Sequence, residues 1–141
     1  LPSRHQRILV TMDTRSWYEA LAKPSWAPEV AVFGRVWTAI YPIIFAVNIY
    51  VLARFLGGKL PLAAALPFWL NLAANFAFTP VQFGLRNQLL SLLVIVLVEV
   101  TIIWSMVAIW PYHKWVALAY VPYLVWVSIA TALQYQIWRL N

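Results

Sequence analysis

Residues 16–41 read SWYEALAKPSWAPEVAVFGRVWTAIY. Trp17, Tyr18, Lys23, Pro24, Trp26 and Pro28 make a rigid, aromatic, polar-edged stretch, because each proline fixes its own φ and restricts the residue before it. Directly behind it begins a long apolar run. A loop of this kind above a membrane segment can close over a pocket, and the remainder of the chain is organised around it.

Composition places that run in a bilayer. The 141 residues are 64% hydrophobic and 10% charged, with mean hydropathy +0.76, whereas soluble domains carry about 25% charged residues. The ten Lys and Arg lie outside the apolar runs or at their ends, so the net charge of +6 describes membrane flanks. No basic stripe of the kind that follows a phosphate backbone is present, which excludes a nucleic-acid surface. With no cysteine there is no disulfide, thiolate metal site or cysteine nucleophile.

Residues 1–15 form a basic tail with Arg4, Arg7 and Arg15 around an apolar patch too short to span a bilayer. The patch also lacks the length and cleavage site of a signal peptide. Residues 16–141 form one transmembrane domain. Four segments, at about 30–54, 62–83, 89–110 and 115–138, are long enough to cross a hydrocarbon core of ~30 Å at 1.5 Å per residue. They predict an all-α membrane protein, an antiparallel transmembrane helix bundle. Pro42 is expected to kink the first span and Pro122 lies in the first third of the fourth.

Arg4, Arg7, Arg15, Lys23, Arg86 and Arg139 flank one side, with Arg35 just inside it, and Arg54, Lys59 and Lys114 the other. The first side, with the C-terminus, is therefore expected to be cytoplasmic. This describes a multi-pass protein of a bacterial inner membrane, or of an organelle membrane in a eukaryote. Trp69, Trp110, Trp115 and Trp138 fall near the span ends, where indoles anchor at the headgroups.

At about 100° per residue, Phe33, Trp37, Tyr41, Ile44 and Asn48 share one face of the first span. Asn71, Asn75, Phe78 and Gln82 share a face of the second, and Tyr123, Trp126, Ala130 and Leu133 of the fourth. An amide unpaired in hydrocarbon costs several kcal/mol, so these faces turn inward. They either enclose a flat aromatic ligand or pack on one another without one. Opposite Asn71 and Asn75, the Ala73 and Ala77 pair allows close helix approach, in a homodimer or within the monomer. Glu99 stands at mid-membrane with no basic residue at its depth. It is expected to be protonated or bonded to an amide, in a functional or a structural role. No second membrane carboxylate or histidine accompanies it to form a proton relay.

WYEALAKPSWAP, VWTAIY, NFAFTPVQFG, VPYLVW and LQYQIWRLN occur in that order between Trp17 and Asn141. In these motifs the chain resembles the translocator protein family, also called tryptophan-rich sensory proteins. The resemblance implies a membrane helix bundle, usually dimeric. It implies binding of porphyrins and other tetrapyrroles, of benzodiazepine-type drugs and in some members of cholesterol, with no cofactor required for the fold. Transferred residue by residue, the implied pocket uses Tyr18, Trp26 and Pro28 of the loop, Trp37 and Tyr41, Asn71 and Asn75, and Trp126 and Ala130. The family has five spans, and here an Arg-rich tail stands where its first helix is expected, so the chain reads as missing that helix or as a fragment.

Near the end, Leu133, Tyr135 and Arg139 fit the loose sterol-recognition pattern of an apolar residue, Tyr and a basic residue. An interfacial Tyr with a snorkelling Arg gives the same pattern. Three functions remain in competition: binding of tetrapyrroles for sensing, regulation or transport, light-dependent breakdown of bound porphyrin with Trp37 and Trp126 as redox partners, and a structural membrane-assembly role. In the first, Lys23 or nearby amides would meet the propionates.

Overall fold

A computed structural model describes residues 20–28 and 30–141. Helix α1 is Val30–Leu56, α2 is Leu62–Thr79, α3 is Gln88–Ile109, α4 is Lys114–Ala119 and α5 is Val121–Leu140. A wide π turn, Pro80–Leu85, follows α2. Segments Ala31–Leu56, Leu62–Gln82, Gln88–Ile109 and Lys114–Leu140 are each long and apolar enough to cross a membrane.

The helix ends follow local chemistry. After α1, Lys59 N–H donates to the Arg54 carbonyl at 2.9 Å and Gly58 N–H to Phe55 at 3.1 Å. Gly58 sits between them at φ +73°. This is the Schellman ending, and only a residue without Cβ takes that backbone freely. At the other end of the bundle, the Asn87 side chain accepts from Leu90 N–H at 3.0 Å and caps α3.

Prolines act differently by context. Helix α1 runs unbroken through Pro42 and α2 through Pro67. The fourth span instead divides at Tyr120, just before Pro122, into α4 and α5. A proline near the start of a helix supplies no N–H to the preceding turn, so a second helix begins there.

Helix α3 packs between α2 and α5, and α1 lies against α2, α4 and α5. Ile44 and Val51 of α1, Phe68 of α2, Ile102 of α3 and Tyr123 and Val127 of α5 are wholly buried. The outer surface is apolar as well, with Ile49, Leu93, Val107 and Val125 exposed. Asn48, Asn71, Asn75, Gln82, Ser91, Thr101, Ser105 and Gln134 are inside. Polar groups inside and apolar ones outside is the distribution that hydrocarbon solvent selects, since lipid offers no hydrogen bonds. Hydroxyls use their own helix: Ser105 donates to the Thr101 carbonyl at 2.7 Å and Thr131 to Val127 at 2.8 Å. The chain is a multi-pass integral membrane protein.

Candidate functional site

The three inward faces meet in one aromatic cluster. Trp37 stacks on Tyr41 one turn along α1, with centroids 5.1 Å apart and planes at 28°. From α5, Trp126 meets Trp37 edge-on at 6.4 Å and Phe33 at 5.3 Å, and Tyr123 meets Trp37 at 6.4 Å. The i, i+4 spacing of Phe33, Trp37 and Tyr41 puts the rings in a column on α1, and Trp126 closes its side.

Asn75 ties the column to the other helices. Tyr41 donates its hydroxyl to Asn75 Oδ1 at 3.1 Å, and Asn75 Nδ2 donates to the Tyr123 hydroxyl at 2.7 Å. One carboxamide on α2 thus locks an α1 ring and an α5 ring. Asn71, one turn earlier, reaches α3: its Nδ2 donates to Thr101 Oγ1 at 3.0 Å and to the Val98 carbonyl at 3.2 Å. Among the described residues two polar atoms beside the cluster, Asn71 Oδ1 and Trp126 Nε1, are buried without a hydrogen-bond partner. An indole N–H left unpaired in the interior is a donor available to an acceptor.

Trp126 faces two ways. Its other side lines a groove of about 580 Å³ between α1 and α5, with Arg35 and Ala39 of α1 opposite Pro122 and Ile129 of α5. The groove is open along its length: Arg35, Ala39, Val121, Pro122, Val125 and Ile129 of its lining are all exposed. Arg35, an orientation signal in the sequence, is exposed and contributes to a groove wall that is almost wholly apolar. Its signal was available: Arg35 and Ala39 are one turn apart and leave a small-residue gap.

Of the residues expected in the pocket, Trp37, Tyr41, Asn75 and Trp126 come together. Ala130 packs against the core one turn beyond Trp126. Asn71 is next to the cluster but committed by its amide nitrogen to α3. Pro28 is half-buried, while Trp26 is 50% exposed and makes no ring contact among the described residues. Tyr18 lies outside the described residues. The loop is nonetheless fastened to the bundle: Asn141 Nδ2 donates to the Ala22 carbonyl at 2.9 Å, and Ala22 N–H returns to Asn141 Oδ1 at 3.2 Å. Leu21 is buried beside this pair, and Lys23 Nζ donates to the Leu21 carbonyl at 3.2 Å.

Glu99 and the sterol-type triplet lie apart from the cluster. Among the described residues Glu99 bonds to no amide: its Oε1 accepts from the Ser128 hydroxyl of α5 at 2.7 Å, and its Oε2 is buried without a partner. The sterol-type triplet is split between two environments. Leu133 is buried at 3% exposure, whereas Tyr135 is 42% exposed, with Arg139 5.8 Å above its ring. A lipid-side ligand would meet Tyr135 and Arg139 without Leu133.

Comparison with known proteins extends the geometry. The profile of the TspO/MBR family matches residues 5–139. The chain is 33% identical over 127 residues to Protein CrtK of Rhodobacter capsulatus, covering 89% of this chain and 79% of that protein. It is 32% identical to the tryptophan-rich sensory protein of Cereibacter sphaeroides over 89% of this chain and 77% of the relative. To the human translocator protein it is 34% identical over 139 residues, spanning 89% and 75% of the two chains.

Proposed function

We propose that this chain, which belongs to the TspO/MBR family, binds a tetrapyrrole of the porphyrin class at the Trp37–Trp126 cluster and its groove, as a membrane sensor, regulator or carrier. The observation that carries this is the convergence of Phe33, Trp37, Tyr41 and Trp126 beside a groove with Arg35 in its lining. A flat apolar macrocycle stacks on such rings, and the fixed guanidinium charge of Arg35 suits its propionate carboxylates. The unpaired Trp126 Nε1 supplies a further donor.

Tryptophan fluorescence on titration with protoporphyrin tests the reading. Saturable quenching is expected, and Arg35→Gln is expected to weaken it about fivefold, the loss of one exposed charge-assisted contact. Quenching that never saturates would favour the structural membrane-assembly role.

The edge contact of Trp37 with Trp126 at 6.4 Å favours a second reading, light- and oxygen-dependent breakdown of the bound porphyrin, with these indoles as electron donors. Illumination in air would then change the absorption of the bound pigment in the wild type but not in Trp37→Phe. Unchanged pigment in both leaves binding alone.

Assembly is a separate proposal. Ala73 and Ala77 are exposed on α2, on the face away from Asn71 and Asn75, with Leu70 and Phe76 exposed beside them. Small residues one turn apart let a second copy approach to backbone contact. Ala73→Leu and Ala77→Leu are each expected to reduce the crosslinked dimer in lipid while porphyrin quenching stays near wild type. A dimer fraction unchanged in both variants would end this proposal.

A further inference from the structure

At the opposite end of α1 from Arg35 lies a second cluster that the ligand site does not use. Arg54 Nη2 is 2.8 Å from His113 Nε2, and the Tyr50 hydroxyl is 3.4 Å from the same nitrogen. A guanidinium can only donate, so Nε2 is the acceptor in this contact. The guanidinium carbon sits 5.6 Å over the Tyr50 ring, and Tyr50 meets Trp115 at 4.9 Å. His113 therefore holds Arg54 against an aromatic wall.

Other cations gather there. The Lys59 backbone N–H bonds to the Arg54 carbonyl, so the two residues are neighbours along the main chain, and Lys114 follows His113, with its Nζ 5.5 Å over Trp110. Among the described residues none of these cations has a carboxylate partner. The sole carboxylate side chain beyond residue 29 is Glu99, ten residues before the end of α3 and so about 15 Å away along the helix. Arg54 spends Nη2 on His113, and its Nε is packed away without a partner. Arg54 as a whole is only partly buried, and Nη1 has no hydrogen-bond partner among the described residues.

We propose that Arg54, positioned by His113 and joined by Lys59 and Lys114, is a binding site for the phosphate of an anionic phospholipid headgroup. The exposed Trp110, Tyr112 and Trp115 around it are the residue types that lie at headgroup depth. A planar guanidinium whose Nη1 has no hydrogen-bond partner among the described residues matches phosphate oxygens, and two flexible ammonium groups complete the charge. Three cations without a carboxylate partner among the described residues favour a headgroup with no ammonium of its own. Arg35 and Arg54 are 19 residues apart on one helix, about 28 Å, so this site is distinct from the porphyrin groove.

Native mass spectrometry of the full chain in detergent, titrated with phosphatidylglycerol or phosphatidylcholine, tests the proposal. Phosphatidylglycerol is expected to bind about tenfold more tightly, and Arg54→Gln to remove that preference, an effect of the size of one charge-assisted hydrogen bond. Lys59→Gln with Lys114→Gln changes only exposed side chains and is expected to weaken binding about fivefold and to flatten its salt dependence. His113→Phe keeps an aromatic ring but no acceptor, and is expected to weaken phosphatidylglycerol as Arg54→Gln does. If inorganic phosphate displaces phosphatidylglycerol at equal concentration, the phosphate site stands and its ligand is soluble. Equal affinity for the two lipids, or a double lysine variant that binds as wild type, would overturn it. Porphyrin quenching in Arg54→Gln should match wild type, so this test and that of the groove fail independently.

Discussion

Replacing Trp126 with alanine is expected to weaken porphyrin binding by about tenfold to a hundredfold, the range of one lost aromatic stacking partner. The same change is expected to lower stability by about 3 kcal/mol. Trp126 is 7% exposed and touches both Phe33 and Trp37, so its removal opens a cavity between α1 and α5 as well as the wall of the groove. Trp126→Phe separates the two effects. A phenyl ring keeps most of the packing and is expected to keep stability within about 1.5 kcal/mol. It cannot supply the indole N–H that now has no partner. Porphyrin titration alongside thermal unfolding of both variants decides the matter. If Trp126→Phe binds as wild type, the N–H plays no part. If Trp126→Ala also does, the ligand is held elsewhere.

Asn75→Leu is expected to cost about 2 kcal/mol of stability, because it leaves the Tyr41 and Tyr123 hydroxyls facing a side chain that can neither donate nor accept. Hydrogen bonds between membrane helices are modest, averaging ~0.6 kcal/mol each, so the two bonds account for about half of this loss and the unpaired hydroxyls for the rest. Removing those groups should recover it: in a Tyr41→Phe, Tyr123→Phe background the Asn75→Leu loss is expected to fall below about 1 kcal/mol. Thermal unfolding of the four chains measures the coupling. An undiminished loss in the double-Phe background would mean that Asn75 acts through packing rather than through the bridge.

Much of the architecture was legible in the residues. Span positions follow from the length of apolar chain that crosses a bilayer and from breaks such as Gly57-Gly58-Lys59. The inward faces follow because Asn48, Asn71, Asn75 and Gln82 have no hydrogen-bonding solvent in lipid, and a 3.6-residue period says which neighbours share their side. These are properties of one helix and its solvent. The motifs from WYEALAKPSWAP to LQYQIWRLN carried the family, which the profile match over residues 5–139 bears out.

What each inward group touches belongs to the helix crossings. Asn71 and Asn75 occupy the same face of α2, yet one bonds to Thr101 of α3 and the other bridges Tyr41 and Tyr123. A displacement of one turn along a shared face changes which helix lies opposite. Pro42 and Pro122 are chemically identical, but only the second stands where one helix stops and another starts. Glu99 finds a serine 29 residues on, and Arg54 a histidine 59 residues on. Periodicity states where a side chain points around its own axis. The depth and angle at which two helices interlock decide what it meets, and those depend on the packing of every side chain along the contact.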